Sequence, residues 1–165
     1  MTIRKAISSD STALIKLFDT LDRETNFMLM EPGERKLPVE KQMEIINELS
    51  NFKSGVLLVA VKKKNIVGFL GGRRSTANRN KHSIHITMGI LASLWGKGIG
   101  RQLLHTFTDW AKENQLHRIE LTVIEHNSKA LSLYKKAGFE IEGIKQDALK
   151  IDGYYVNEYH MAKLI

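Results

Sequence analysis

Apolar residues spaced three and four apart mark the first helix. Leu14, Leu17, Phe18 and Leu21 fall on one face, and Asp10 is placed to cap its start. Before it, Thr2 to Ala6 reads as a short strand. Glu31 to Leu37, with proline, glycine and charge, is a loop. Pro38 then suits the first turn of a second helix, with Val39, Met43, Ile46 and Leu49 on one face. Gly55 to Lys62 is β-branched and apolar, a strand; Asn65 sits in the following turn and Ile66 to Gly72 returns. After a polar turn at Arg79 to Lys81, Ser83 to Ile90 alternates. Ile84, Ile86, Met88 and Ile90 share one face, His85 and Thr87 the other.

A glycine turn follows, and then a strong helix with Ile99, Leu103, Leu104, Phe107, Trp110 and Ala111 as its apolar positions. Arg118 to Ile124 is another strand. Asn127 is placed to cap a helix carrying Ala130, Leu131, Tyr134 and Ala137. Gly138 ends it, and Phe139 folds back as the apolar partner. Strands near Phe139 to Ile144 and Tyr155 to Lys163 flank the turn Asp152-Gly153. The order β α α β β β α β α β β gives an α/β or α+β class. An antiparallel front half leads into a strand-helix-strand unit, which calls for a parallel pair.

The 165 residues fit one domain spanning residues 1–165. With no cysteine, a disulfide scaffold, a thiolate metal site and a cysteine nucleophile are all excluded. The N-terminus carries no apolar run of the signal-peptide kind, and no stretch approaches the ~18 apolar residues of a membrane span. The expectation is a cytoplasmic protein with no membrane partner. The formal charge of +7 fits an anionic ligand, a nucleic acid or a basic solvated surface. RNA-binding aromatic motifs and zinc-finger spacings are absent, so nucleic acid is not the expected partner. The histidines show no metal spacing, and no metal is expected.

The candidate site is the turn Trp95-Gly96-Lys97-Gly98-Ile99-Gly100 between strand and helix, with Arg101 following. The first turn of a helix leaves backbone N–H groups unpaired, and its dipole adds partial positive charge. Glycines let an anion reach that backbone. The spacing is G-x-G-x-G. It matches neither the G-x-G-x-x-G of dinucleotide folds nor the phosphate loop of nucleotide hydrolases. On spacing alone the turn binds a phosphate or serves packing.

Strand, G-x-G-I-G, amphipathic helix, Arg118-Ile119-Glu120-Leu121-Thr122-Val123 and Asn127-x-x-Ala130-x-x-Leu133-Tyr134-x-x-x-Gly138-Phe139 together resemble the GNAT acetyltransferase superfamily. The closing Asp152-Gly153-Tyr154-Tyr155-x-x-Glu158-Tyr159-x-Met161 resembles bacterial members that acetylate polyamines, amino acids or protein N-termini. Trp95 departs from the family pattern, which usually has Gln or Arg there. The resemblance implies a mixed, mostly antiparallel seven-stranded sheet with about four helices. It implies acetyl-coenzyme A (acetyl-CoA) as the donor and an amine as the acceptor. Met88, Gly89 and Ile90 would pair with the pantetheine arm. The N–H groups of Lys97 to Arg101 would hold the pyrophosphate. Asn127 and Ala130 would lie beside the cofactor. Tyr134 would protonate the departing thiolate.

The chemistry implied is direct attack of an amine on a thioester, with no covalent enzyme intermediate. A backbone N–H near Ile90 would stabilise the developing oxyanion. An alkyl ammonium titrates near ~10.4, so a base must take a proton. Glu31 and Glu34, on the loop between the first two helices, are the candidates; Glu125 and His126 are weaker ones. Glu120 reads as a structural partner for a basic residue. The acceptor is a small amine, polyamine or amino acid, with a protein N-terminus or a non-catalytic acyl-CoA-binding module as alternatives. Relatives often pair, so a homodimer is open. Tyr155, Tyr159 and Met161 of the last strand would be its contact surface or be covered within the monomer.

Overall fold

A computed structural model describes residues 1–51 and 54–165. Seven strands and four helices alternate in the expected order. They are β1 (Thr2–Lys5), α1 (Ser11–Glu24), α2 (Val39–Asn51), β2 (Gly55–Lys62), β3 (Asn65–Arg74), β4 (Ser83–Ile90), α3 (Ile99–Glu113), β5 (Arg118–Ile124), α4 (Ser128–Lys136), β6 (Glu140–Ile151) and β7 (Tyr154–Leu164). The strands form one sheet in the order β1-β2-β3-β4-β5-β7-β6. Each neighbouring pair is antiparallel except β4–β5, the pair that α3 connects. The mixed, mostly antiparallel sheet with a central parallel unit is therefore as the resemblance implied.

The helices cover the sheet from both sides. Leu14, Leu17, Phe18 and Leu21 of α1 and Ile46 and Leu49 of α2 pack on Leu57, Val59 and Phe69. On the other face, Leu103, Phe107 and Trp110 of α3 and Tyr134 of α4 pack on Leu58, Leu70, Ile84, Ile119 and Met161. Removing apolar surface from water drives both contacts, at roughly 25 cal/mol per Å².

Local details correct the expectations. In α2 the inward face is Gln42, Ile46 and Leu49, while Met43 is exposed, because the stripe sits one position back. Asp10 does not cap α1 with its side chain. Its carboxylate accepts from both Arg4 nitrogens, at 2.6 and 2.9 Å, and from the Ile7 N–H, tying β1 to the helix start instead. The β2–β3 turn is Lys63-Lys64, both in left-handed conformation, and Asn65 already pairs with Lys62. β6 does not stop at Ile144. It bulges between Lys145 and Leu149 and continues to Ile151, held by its pairing to β7. Met161 is fully buried and Tyr159 half-buried within the chain, so of the three residues considered for a contact surface only Tyr155 faces out. No helix among the described residues is long and apolar enough to cross a membrane.

The feature that makes a site is a split in the sheet. β4 and β5 pair at Ser83–Arg118, Ile84–Ile119 and His85–Glu120, and there the pairing ends. β4 stays paired to β3 as far as Ile90, and β5 stays paired to β7 as far as Ile124. Beyond His85 the two strands diverge, and the β5-facing edge of β4 has no strand partner among the described residues.

Candidate active site

A cleft of about 940 Å³ fills the split and passes through the sheet. Its mouth on the α3–α4 face is built from Met88, Ile90, Trp95, Gly98, Arg101 and Asn127, with Tyr134 in its wall. The mouth on the α1–α2 face is built from Phe27, Met28, Leu29, His85, Leu149 and Glu158. One ligand can thus enter from each side and meet at the unpaired edge of β4.

The glycine turn serves the first mouth. Gly96 and Gly98 have φ of 74° and 79°, the left-handed region in which a β-carbon is strained. Gly98 is the residue from which α3 starts. Among the described residues, no protein acceptor takes the N–H groups of residues 96–101; the first helical bond runs from the Gln102 N–H to the Gly98 carbonyl. These free donors, at the positive end of the α3 dipole, form a nest for a phosphate. Arg101, Lys129 and Lys136 line the same mouth and add positive charge. A β-carbon on Gly96 or Gly98 would meet nothing within 4 Å, so the turn stands open on the side a ligand would take.

Trp95 contributes in its own way. Its indole N–H donates to the Ile90 carbonyl at 2.7 Å, fastening the loop after β4. Its ring lies under the Lys129 ammonium, 4.8 Å from the centroid, holding that cation at the mouth. From the far side, the Glu24 carboxylate accepts from the Ala92 N–H at 2.8 Å and ties α1 to the same loop.

Asn127 caps α4, its Oδ1 accepting from the Ala130 N–H at 3.2 Å. The other end of α4 fixes Tyr134. The Phe139 N–H donates to the Tyr134 carbonyl and the Gly138 N–H to that of Lys135, with Gly138 at φ 89°. This is the Schellman arrangement, and its apolar contact is the edge-on packing of Phe139 against Tyr134, centroids 5.7 Å apart. Burial pushes the Tyr134 phenol up to about 12, so it keeps its proton throughout the neutral range. Its hydroxyl makes no hydrogen bond to the described residues, yet it is not a sealed-in polar atom. It opens on the cleft.

Two arms frame the second mouth. Thr25, Phe27, Met28 and Leu29, after α1, line it from one side. Asp22, almost fully buried, accepts from Arg35 at 2.9 Å and anchors the return of this arm to α1. The far end of the β6–β7 hairpin is the other arm. The bulge after Lys145 is pinned where the Asp147 N–H donates to Asn157 Oδ1, and Leu149 beyond it lines the cleft. The arms touch where Asn26 donates to Asp152, at 3.1 Å.

Comparison with known proteins decides the family. The profile described as "Acetyltransferase (GNAT) family" matches residues 17–139. The chain belongs to the GNAT acetyltransferase family. It is an N-acetyltransferase that uses acetyl-CoA. It is 31% identical over 111 residues to the L-amino acid N-acetyltransferase AaaT of Escherichia coli, an alignment taking in 65% of this chain and 67% of that one. A GNAT-family acetyltransferase from Streptococcus pneumoniae has the same fold at a TM-score of 0.96, 28% identity and 99% coverage of both chains. The yncA protein of Salmonella typhimurium, solved with its cofactor acetyl-CoA, matches in fold at a TM-score of 0.87 and 16% identity. That match covers 99% of this chain and 92% of that one.

Most of the GNAT positions picked out in the sequence come together. Met88, Gly89, Ile90, Trp95, Gly96, Gly98, Ile99, Gly100, Arg101, Asn127, Ala130 and Tyr134 all line the one cleft. Lys97 turns its ammonium back to the Ser93 carbonyl, at 3.0 Å, and offers only its backbone. Glu31 and Glu34 lie outside the lining, on an exposed turn that Glu34 closes by accepting from the Glu31 N–H. Glu125 and His126 are exposed at the end of β5. His126 packs against Phe27, and Glu125 accepts from Asn157. Glu120 does partner a basic residue, Arg118, at 2.8 Å. His85, Thr87, Thr122, Lys145 and Glu158 also line the cleft and were not among the site candidates drawn from the sequence. The alternation of β4 had already set His85 and Thr87 on a shared face, but nothing local marked that face as a cleft wall.

Proposed function

We propose that this enzyme acetylates a single primary amine carried on a small, largely apolar body, with an apolar amino acid as the class that fits. The observation behind the reading is the make-up of the second mouth. Its only lining carboxylate among the described residues is Glu158, and Lys145 stands beside it at 3.7 Å. Around the pair are Phe27, Met28, Leu29 and Leu149. One carboxylate can balance one ammonium. A polyamine would bring a second charge with nothing to meet it, and burying an unpaired charge is costly. An amino acid offers an ammonium to Glu158, a carboxylate to Lys145 and a side chain to the apolar wall. The activity named for the Escherichia coli relative, on L-amino acids, supports the same class.

The donor mouth fits acetyl-CoA. The open turn and the basic residues around it suit its phosphates, and the unpaired edge of β4 suits the amide-bearing arm. Acetyl-CoA supplies an activated acyl carbon. The residues of the chain hold and orient it. Met88 to Ile90 offer the unpaired strand edge. The N–H groups of the turn offer the anion nest. Tyr134 keeps a proton at the cleft wall, where it can hydrogen-bond to a departing sulfur whose thiol would titrate near ~8.5.

The test is thiol release from acetyl-CoA with a panel of apolar amino acids, their amides, diamines, polyamines and N-terminal peptides. The expected result is a kcat/KM for an apolar amino acid at least tenfold above any polyamine. Lys145→Ala should erase the advantage of the amino acid over its amide. A polyamine at the head of the ranking would remove the reading. Acetyl-CoA binding without turnover of any amine would favour an acyl-CoA-binding module.

A further inference from the structure

The reaction must dispose of a proton. At neutral pH the acceptor arrives as an ammonium, and amide formation removes two protons from its nitrogen. One replaces the proton that Tyr134 can give to sulfur. The other must leave the site. The group that takes it has to face the acceptor mouth, be unprotonated at neutral pH and be able to hand the proton on.

Among the titratable side chains lining that mouth, Lys145 is a cation and Glu158 is engaged with it. A carboxylate also titrates some six units below the amine, a poor match for proton transfer, while imidazole lies closer, near ~6.5. His85 remains. It belongs to the last register pair of β4 and β5, so it sits at the vertex where the split begins. Its side chain is on the Thr87 face, in the wall of the acceptor mouth.

Behind His85 runs a row of charged and titratable groups on one face of the sheet. Glu120 is its register partner on β5. The Glu120 carboxylate accepts from Arg118 Nε at 2.8 Å and lies 3.8 Å from His160 Nε2 on β7. Arg118 also bonds Glu142 on β6, at the outer edge. The His160 side chain is 39% exposed and meets solvent. On the opposite side, Arg73 of β3 is the register partner of His85. Glu158 of β7 faces it across the cleft.

We propose that His85 takes the acceptor's proton, with Glu120 stabilising the imidazolium until the proton returns to solvent. The assignment rests on the acetyl-transfer reading of the cleft. In the step, an N–H bond of the ammonium breaks and an imidazole N–H bond forms, leaving the amine lone pair free to attack. The imidazolium faces the Glu120 carboxylate, which stabilises it. The proton then leaves His85 for water in the open cleft, and the imidazole is neutral again. Removal from bulk water depresses the His85 pKa, and His160 depresses it further, while Glu120 and Glu158 oppose this. His85 is therefore neutral and ready at physiological pH.

The test is the pH dependence of kcat/KM for the full chain with its best amine, set beside an NMR titration of the histidine C2–H signals. Wild type should show an inflection below the ordinary imidazole value, matching the His85 signal. His85→Gln should lose that inflection and fall about 10²-fold or more in kcat, with acetyl-CoA affinity unchanged within twofold. Glu120→Gln should move both the inflection and the His85 signal to lower pH, because a carboxylate that favours the imidazolium has gone. A shift of the His85 signal with the inflection left in place would mean that His85 is not the base. If His85→Gln turns over within threefold of wild type, or if Glu120→Gln moves neither readout, the proposal is overturned. Should His85→Gln fail to bind acetyl-CoA, the Glu120→Gln pair of readouts decides. Should wild type acetylate no amine, the transfer reading fails, and a His85 signal at or above the ordinary value would separately remove the base.

Discussion

Tyr134 shows how local order places a side chain. Its ring is placed by the same Gly138-Phe139 turn that ends α4, and its hydroxyl is left without a partner among the described residues. Replacing it with phenylalanine removes no hydrogen bond to the described residues, so Tyr134→Phe should change stability by less than about 0.5 kcal/mol. It should lower kcat about 10²-fold and leave acetyl-CoA affinity within twofold. Single-turnover thiol release and calorimetric titration read the two effects apart, and equal loss of both would make Tyr134 a packing residue. Tyr134, Asn127 and Gly98 were legible in the sequence because each is defined by neighbours a few positions away. His85 and Glu158 were not. They lie on distant strands and face each other only once β7 has taken its place beside β5.

At the scale of elements, the β2–β3 hairpin carries a local conflict. A two-residue turn that follows the sheet twist needs positive φ at both positions, which favours Asn-Gly. Here Lys63 and Lys64 adopt φ of 48° and 68°. A side chain in that region costs about 1 kcal/mol or more, offset by the long pairing of β2 with β3. The double substitution Lys63→Asn, Lys64→Gly should therefore stabilise the fold by about 1 kcal/mol. Denaturant titration at unchanged m-value would show it; a lower midpoint would mean that the lysines are held by contacts of their own. The absence of the usual turn residues is why the turn read one position late. The length of β6 was hidden for a related reason. Its far half is a strand because β7 holds it across the bulge at Gln146 to Ala148, whereas its own alternation is broken there. Elements with strong internal period, such as α3 and β4, were placed within a residue or two of their bounds.

At the scale of the molecule, the parallel pair of the mixed sheet followed from the order of elements. The place of β7 between β5 and β6 did not, and nor did the split, which depends on pairs that fail to form. Below the split, on the α3 face, Ile84 and Ile86 of β4 and Ile119, Leu121 and Val123 of β5 share one core with Phe107. That core holds the halves together where the backbone bonds are missing. The protein should therefore unfold in a single cooperative transition, and a ligand bridging the cleft should stabilise all of it. At 100 times its Kd, acetyl-CoA would add about 2.7 kcal/mol. For a chain of this size that is roughly 5–10 °C in Tm. Gly98→Asp is the control. Aspartate tolerates the left-handed region better than most residues, so the ligand-free Tm should fall by no more than about 4 °C. Its carboxylate would stand among the N–H groups that a phosphate needs, and the shift should vanish. A shift that survived in Gly98→Asp would move the phosphates away from the turn. Two separate transitions without ligand would mean that the α3-face core does not couple the halves, and that the split divides the fold as well as the sheet.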